Sequence, residues 1–181
     1  MRYHIKHSIE PGTTVHWDDL RFPFTQTKRG SNDLPNFDYT DLGLLFPQND
    51  ATEKIYIIAQ LPRHYEEHTG LRPHIHYIQD ETEVPVFKMD YRWYRNGDAV
   101  PESFTTLSTE ATPVFEYSSG SILQILSFPE IEPISQVSKA SSFVDIIVYR
   151  DDNVVTGDLL AKEFDIHYRI DSLGSEQEFI K

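Results

Sequence analysis

The chain has 181 residues, 39% apolar and 13% aromatic, enough for a single domain around one core. It contains no cysteine and carries a net charge of −13 with no basic run, which excludes disulfides, thiolate metal centres and cysteine nucleophiles and argues against a nucleic-acid partner. The opening MRYHIKHSIE lacks the apolar stretch of a signal peptide, and no run approaches the roughly 18 apolar residues of a membrane helix, so neither such a leader nor a membrane partner is expected.

Residues 1–50 are broken by turn signals at Pro11-Gly12, Lys28 to Asn32, Leu34-Pro35 and Pro47 to Asp50. Their aromatic and aliphatic content is nevertheless too high for disorder. The segment reads as an extended N-terminal arm that packs on its own domain or on a neighbouring subunit. Trp17, Leu20, Phe22, Phe24, Phe37 and Phe46 are the expected subunit contacts, and a homotrimer is the expected assembly.

Residues 51–181 read as one β-sandwich domain. EKIYIIAQL, RPHIHYI, VPVFKMDYRWY, SSFVDIIVYR and KEFDIHYRI are strand-like runs bounded by turn residues. Asn96-Gly97 marks a hairpin with a short polar return strand. TPVFEYSSGSILQILSFPEI suggests two strands around Ser118 to Ser121. Only Glu53 to Gly70 and Thr156 to Lys162 have room for a helical turn. Many short strands and no long amphipathic helix predict an all-β fold, a jelly-roll-like antiparallel sandwich of about eight strands.

Strand parity divides dry faces from wet ones, as in antiparallel sheets. Phe164, Ile166, Tyr168 and Ile170 oppose Asp165, His167, Arg169 and Asp171. Phe87, Met89, Tyr91 and Trp93 oppose Lys88, Asp90 and Arg92, while Ile55, Ile57, Ala59 and Leu61 form an apolar stripe. The expected core includes Ile57, Tyr77, Met89, Tyr91, Ile125, Ile147 and Ile166.

His74 and His76, in RPHIHYI, share a strand face with Cα atoms about 7 Å apart. Such a pair can ligate one ion, and cupins, themselves jelly rolls, use H-x-H followed by a glutamate. Glu81 matches that spacing. Gly70 and Lys88 do not match the cupin glycines, and the later histidine motif is absent, leaving His167 as the only further candidate ligand. The expectation is therefore no catalytic metal and no cofactor. His74, His76 and His167 instead share a wet face near Asp165 and Arg169, where a carboxylate would raise a histidine's pKa and favour association at low pH.

HYEEH, His64 to His68, matches a zinc-protease helix pattern, but Pro62, Gly70 and Pro73 leave about two helical turns at most to carry it, so a surface turn is expected. Asp151, Asp152, Asn153 and Asp158 offer oxygen ligands without the spacing of a known Ca²⁺ loop. No nucleophile elbow or phosphate loop is present, and adjacent acidic pairs do not give glycosidase geometry. No catalytic residue is expected.

HWDDLRFPFTQTKRGS, LPRHYEEHTGLRPHIHY and DIHYRIDSLGSEQEFIK resemble small virion-associated proteins of tailed bacteriophages, with the similarity spanning nearly the whole chain. Its most specific part is D-x-H-Y-x-x-D-x-x-G-S, here Asp165 to Ser175. The resemblance implies a virion structural protein, such as a capsid decoration, cement or head-fibre protein, acting by contacts with other virion proteins. Two alternatives stand beside it: a receptor- or glycan-binding tail module, and a cupin-like metalloenzyme using His74 and His76.

Overall fold

The computed structural model describes residues 15–29, 35–134, 136–152 and 154–171. The described strands are β1 (His16–Pro23), β2 (Lys28–Arg29), β3 (Asn36–Asp38), β4 (Gly43–Phe46), β5 (Lys54–Gln60), β6 (Leu71–Gln79), β7 (Phe87–Tyr94), β8 (Thr105–Ser108), β9 (Ile122–Ser127), β10 (Phe143–Arg150) and β11 (Leu159–Ile170). Every pairing is antiparallel. One sheet runs β3-β4-β11-β6-β9, with β1 also on β11; the other runs β2-β5-β10-β7-β8. The fold is an all-β, jelly-roll-like sandwich. Eleven described strands replace the expected eight because the N-terminal segment supplies four, three of them short.

That segment is built into the domain. Its β1 pairs with β11 from His16↔Ile170 to Pro23↔Glu163, and β4 continues the same edge of β11 through Leu159 to Ala161. Phe24, Leu44 and Phe46 lie in the core, while Leu20, Phe22 and Phe37 pack against it. Of the six expected subunit contacts, Trp17 alone is exposed, at 40%. Burial against the chain's own sheets takes up the aromatic surface that had suggested an arm. Residues 1–14, 30–34 and 172–181 lie outside the described set, and with them part of the Lys28 to Asn32 turn and the end of the Asp165 to Ser175 motif.

The sheets close on Ile55, Ile57, Ala59, Leu61, Ile75, Tyr77, Phe87, Met89, Val144, Ile146, Val148, Phe164 and Ile166. Parity correctly sorted β5, β7 and β11. Two residues expected in the core are not: on β10 Ile146 rather than Ile147 is buried, and on β9 Gln124 and Leu126 rather than Ile125. Tyr91 is half-buried at the rim of the core. Residues 112–119 form no strand; Val114 and Phe115 are exposed and only β9 remains of the expected pair. The segments with room for a helical turn are strand and turn throughout. The hairpin signal is real: Gly97 adopts φ +92 in the turn that closes Asp98 N–H onto the Arg95 carbonyl, beyond which β8 returns along β7.

One buried cation ties the sandwich together at the end of β10. Arg150 is fully buried. Its Nε donates to Asp152 Oδ2 (2.7 Å) and Nη2 to Asp152 Oδ1 (3.3 Å) and the Val155 carbonyl, while Nη1 donates to the carbonyls of Phe46 (3.0 Å) and Gly157 (2.6 Å). All five guanidinium donors thus find acceptors, the condition for burying a charge. Asp152 in turn accepts from the backbone N–H groups of Val86, Val154 and Val155.

Candidate functional site

The outward face of the six-stranded sheet collects many of the described ion pairs. The registers of β1, β11, β6 and β9 lay them in rows: Trp17 beside Arg169; then Asp19, His167 and Arg72; then Arg21, Asp165, His74 and Ser127; then Pro23, Glu163, His76 and Ile125. β1 belongs here because Leu20 and Phe22 point to the core while Trp17, Asp19 and Arg21 alternate outward. Rows of this kind let opposite charges meet across strands.

The first two rows, and Arg21 at the β1 edge of the third, are open to solvent and held by charged pairs. Arg21 grips Glu163 in a bidentate bond (Nε–Oε1 2.9 Å, Nη2–Oε2 2.6 Å), whereas Arg169 donates a single hydrogen bond to Glu66, from Nη2 to Oε1 (3.2 Å), with its Nε 2.9 Å from Oε2 but not bonded to it. The Arg72 guanidinium lies 4.5 Å from the centre of the Trp17 ring and reaches Glu130 at 2.9 Å. His167 Nε2 sits 3.1 Å from Asp19 Oδ1. An exposed indole is thereby surrounded by oriented donors and acceptors.

Behind Arg21, the β11 and β6 members of the lower two rows are largely dry. His74 and Asp165 are each 4% exposed. His74 Nε2 and His76 Nε2 lie 3.5 and 3.2 Å from the same oxygen, Asp165 Oδ2. The His74 ring is 5.0 Å from that of His76 and 4.3 Å from that of His167. Burial pushes the Asp165 carboxyl upward, but the two imidazoles turned toward it outweigh this and hold it well below the usual carboxylate range. His167 moves against expectation. Burial, then repulsion from His74, lowers its pKa, and Asp19 and Asp165 only partly oppose this. By linkage, its contribution to the stability of the fold is present above its free value of 6.5 and is lost as pH falls below it, whereas the expectation had been a raised histidine pKa.

Sequence reading thus found the histidine pair but missed the group that completes it. His167 shares the face, yet its Nε2 is turned to Asp19; the atoms that converge are those of His74, His76 and Asp165. Asp165 had been sorted onto the wet face by parity; only the β6–β11 register, Asp165↔His74, sets it between the two histidines.

The remaining candidates dissolve into structure. HYEEH is a turn: His64 bonds Tyr168 Oη (2.7 Å) and Asp18 (3.1 Å), and His68 has φ +65. Asp152 is committed to Arg150, and Asp151 pairs with Lys88, so neither is free for Ca²⁺; Asn153 lies outside the described residues. Among the described residues no helix is long and apolar enough to cross a membrane.

No protein-family model matches the chain, and no curated protein does. Among solved structures, it is similar to the CBM36-1 domain of a multidomain xylanase from the hindgut metagenome of Trinervitermes trinervoides, at 8% identity over 82% of this chain and 96% of that one, with a TM-score of 0.43. It is also similar to TmCBM27, a mannan-recognising carbohydrate-binding module, at 12% identity over 85% and 99%, with a TM-score of 0.36. Winged bean acidic lectin, complexed with methyl-α-D-galactose, is a third, at 6% identity over 84% and 99%, with a TM-score of 0.36.

Proposed function

We propose that the chain is a non-catalytic recognition module that binds neutral glycans on the open rows of the β1–β11–β6 face. The observation that carries this reading is the exposed Trp17 ring, with the Arg72 guanidinium over it and the Arg21–Glu163 and Arg169–Glu66 pairs on the same sheet face. A sugar presents an apolar C–H face and, around its rim, pairs of vicinal hydroxyls. An indole suits the first, and planar carboxylates and guanidiniums already fixed in orientation suit the second at little further ordering cost. The charges on the face largely cancel, and the chain as a whole is at −13, so an acidic glycan gains nothing from long-range attraction. In this reading the resemblance to virion-associated phage proteins supports a receptor-binding element carried on a particle.

The test is a glycan array followed by calorimetry on the hits. Neutral oligosaccharides are expected to bind, and Trp17→Ala to weaken them by about tenfold or more, or at least ~1.4 kcal/mol. Fluorescence gives an independent check. Trp93 is buried with its Nε1 donating to Ser142 Oγ, so a ligand-induced change in emission should come from Trp17 and vanish in that variant. An array without hits, or binding indifferent to Trp17→Ala, removes the proposal.

A further inference from the structure

We propose that His74, His76 and Asp165 form a binding site for a divalent first-row transition-metal ion of the zinc type. The argument is independent of the glycan reading and starts from distances. Two ligand atoms about 2.1 Å from a tetrahedral ion stand about 3.4 Å apart. The two histidine Nε2 atoms stand 3.5 and 3.2 Å from Asp165 Oδ2. The first separation is too long for an N–H···O bond, and the second fails on direction, since His76 Nε2 has no hydrogen-bond partner among the described residues. Asp165 Oδ1 has none either, although the residue is 4% exposed. A buried carboxylate oxygen and a buried imidazole nitrogen left unmatched each cost free energy unless a bound group fills the site beside them.

The donor set selects the filler. Two imidazoles and one carboxylate suit zinc and its first-row neighbours; the hard, oxygen-seeking Ca²⁺ and Mg²⁺ would find a single oxygen-bearing side chain. The frame is rigid, since His74 and His76 project from one face of β6 and Asp165 from the adjacent β11. Arg21, the cross-strand partner of Asp165 on β1, is already paired with Glu163. Three protein ligands leave a fourth position on the side of His76, whose side chain is 19% exposed, for water or a ligand oxygen.

The experiment uses the full, untagged chain, stripped with chelator and titrated with Zn²⁺ by calorimetry, with Co²⁺ as a spectroscopic stand-in. The expected result is one ion per chain, a raised melting temperature and a four-coordinate cobalt spectrum. Asp165→Asn and His76→Gln should each weaken Zn²⁺ by at least about tenfold. The double variant His64→Gln/His68→Gln and Trp17→Ala should bind as the parent does. Asp165→Asn keeps the side-chain shape; if it fails to fold, His76→Gln, at the more open position, decides alone. A parent that binds no zinc, zinc binding unchanged in both ligand variants, or zinc binding lost in the His64/His68 variant would each overturn the proposal. Trp17→Ala losing glycan while keeping zinc would show that the two readings stand or fall separately.

Discussion

Arg150→Met should destabilise the protein by about 3–5 kcal/mol, measured by urea denaturation at pH 7. The loss comes from what remains. Asp152 keeps its buried charge without its partner, and the carbonyls of Phe46, Val155 and Gly157 lose their donors. The pH dependence has a definite sign. Burial raises the Asp152 carboxyl, but the Arg150 bonds and the N–H groups of Val155 and Val154 outweigh this and set it below 3.8. A carboxylate with a depressed folded pKa stabilises above its unfolded value and loses that contribution as pH falls through the folded one. The parent should therefore weaken below about pH 4. In Arg150→Met the carboxylate loses its main reason to ionise, so the gap from the parent should narrow on acidification. Arg150→Met/Asp152→Asn should recover part of the loss at neutral pH. A single variant as stable as the parent would mean that water reaches this corner of the sandwich.

Ile146→Ala should cost about 2–5 kcal/mol, and Ile147→Ala clearly less. The two residues are neighbours on the central strand of one sheet, with the same chemistry and opposite faces. Ile146 is 1% exposed and looks across the core, whereas Ile147 stands beside Tyr56 and Asp90 on the outer face. Thermal or chemical denaturation of the pair measures the difference between facing the core and merely being half-covered. Equal losses would contradict the assignment of faces.

That pair also shows where reading the sequence stopped. On β11 and β7, charged residues alternate with aromatic and aliphatic ones, so parity alone named the buried face. VDIIVY has apolar residues on both sides, because β10 is a central strand with little solvent on either face, and alternation carries no sign there. On β9 the rule misleads, since Gln124 turns inward and donates to the Phe115 carbonyl while Leu123 stays exposed. The N-terminal strands were illegible for another reason. HWDDLRFP has weak strand propensity, and its extended form comes from pairing with β11, a partner near the other end of the sequence. Local pattern holds no trace of that pairing. The same gap hid Asp165, whose face was readable but whose distance from the two histidines depended on register.

The position of β11 bears on how the chain reaches its fold. β11 carries β6 on one edge and both β4 and β1 on the other, so three strands made earlier share a partner synthesised after all of them. Until it emerges from the ribosome, β1, β4 and β6 expose unpaired backbone and the apolar side chains that will meet across the core. Pairing over such sequence separations is slow, and open strand edges invite association with other chains. Synthesis should therefore pass through a vulnerable interval that ends only with residues 159–170. Yield during expression should respond to chaperones and to temperature more strongly than the stability of the finished sandwich would suggest.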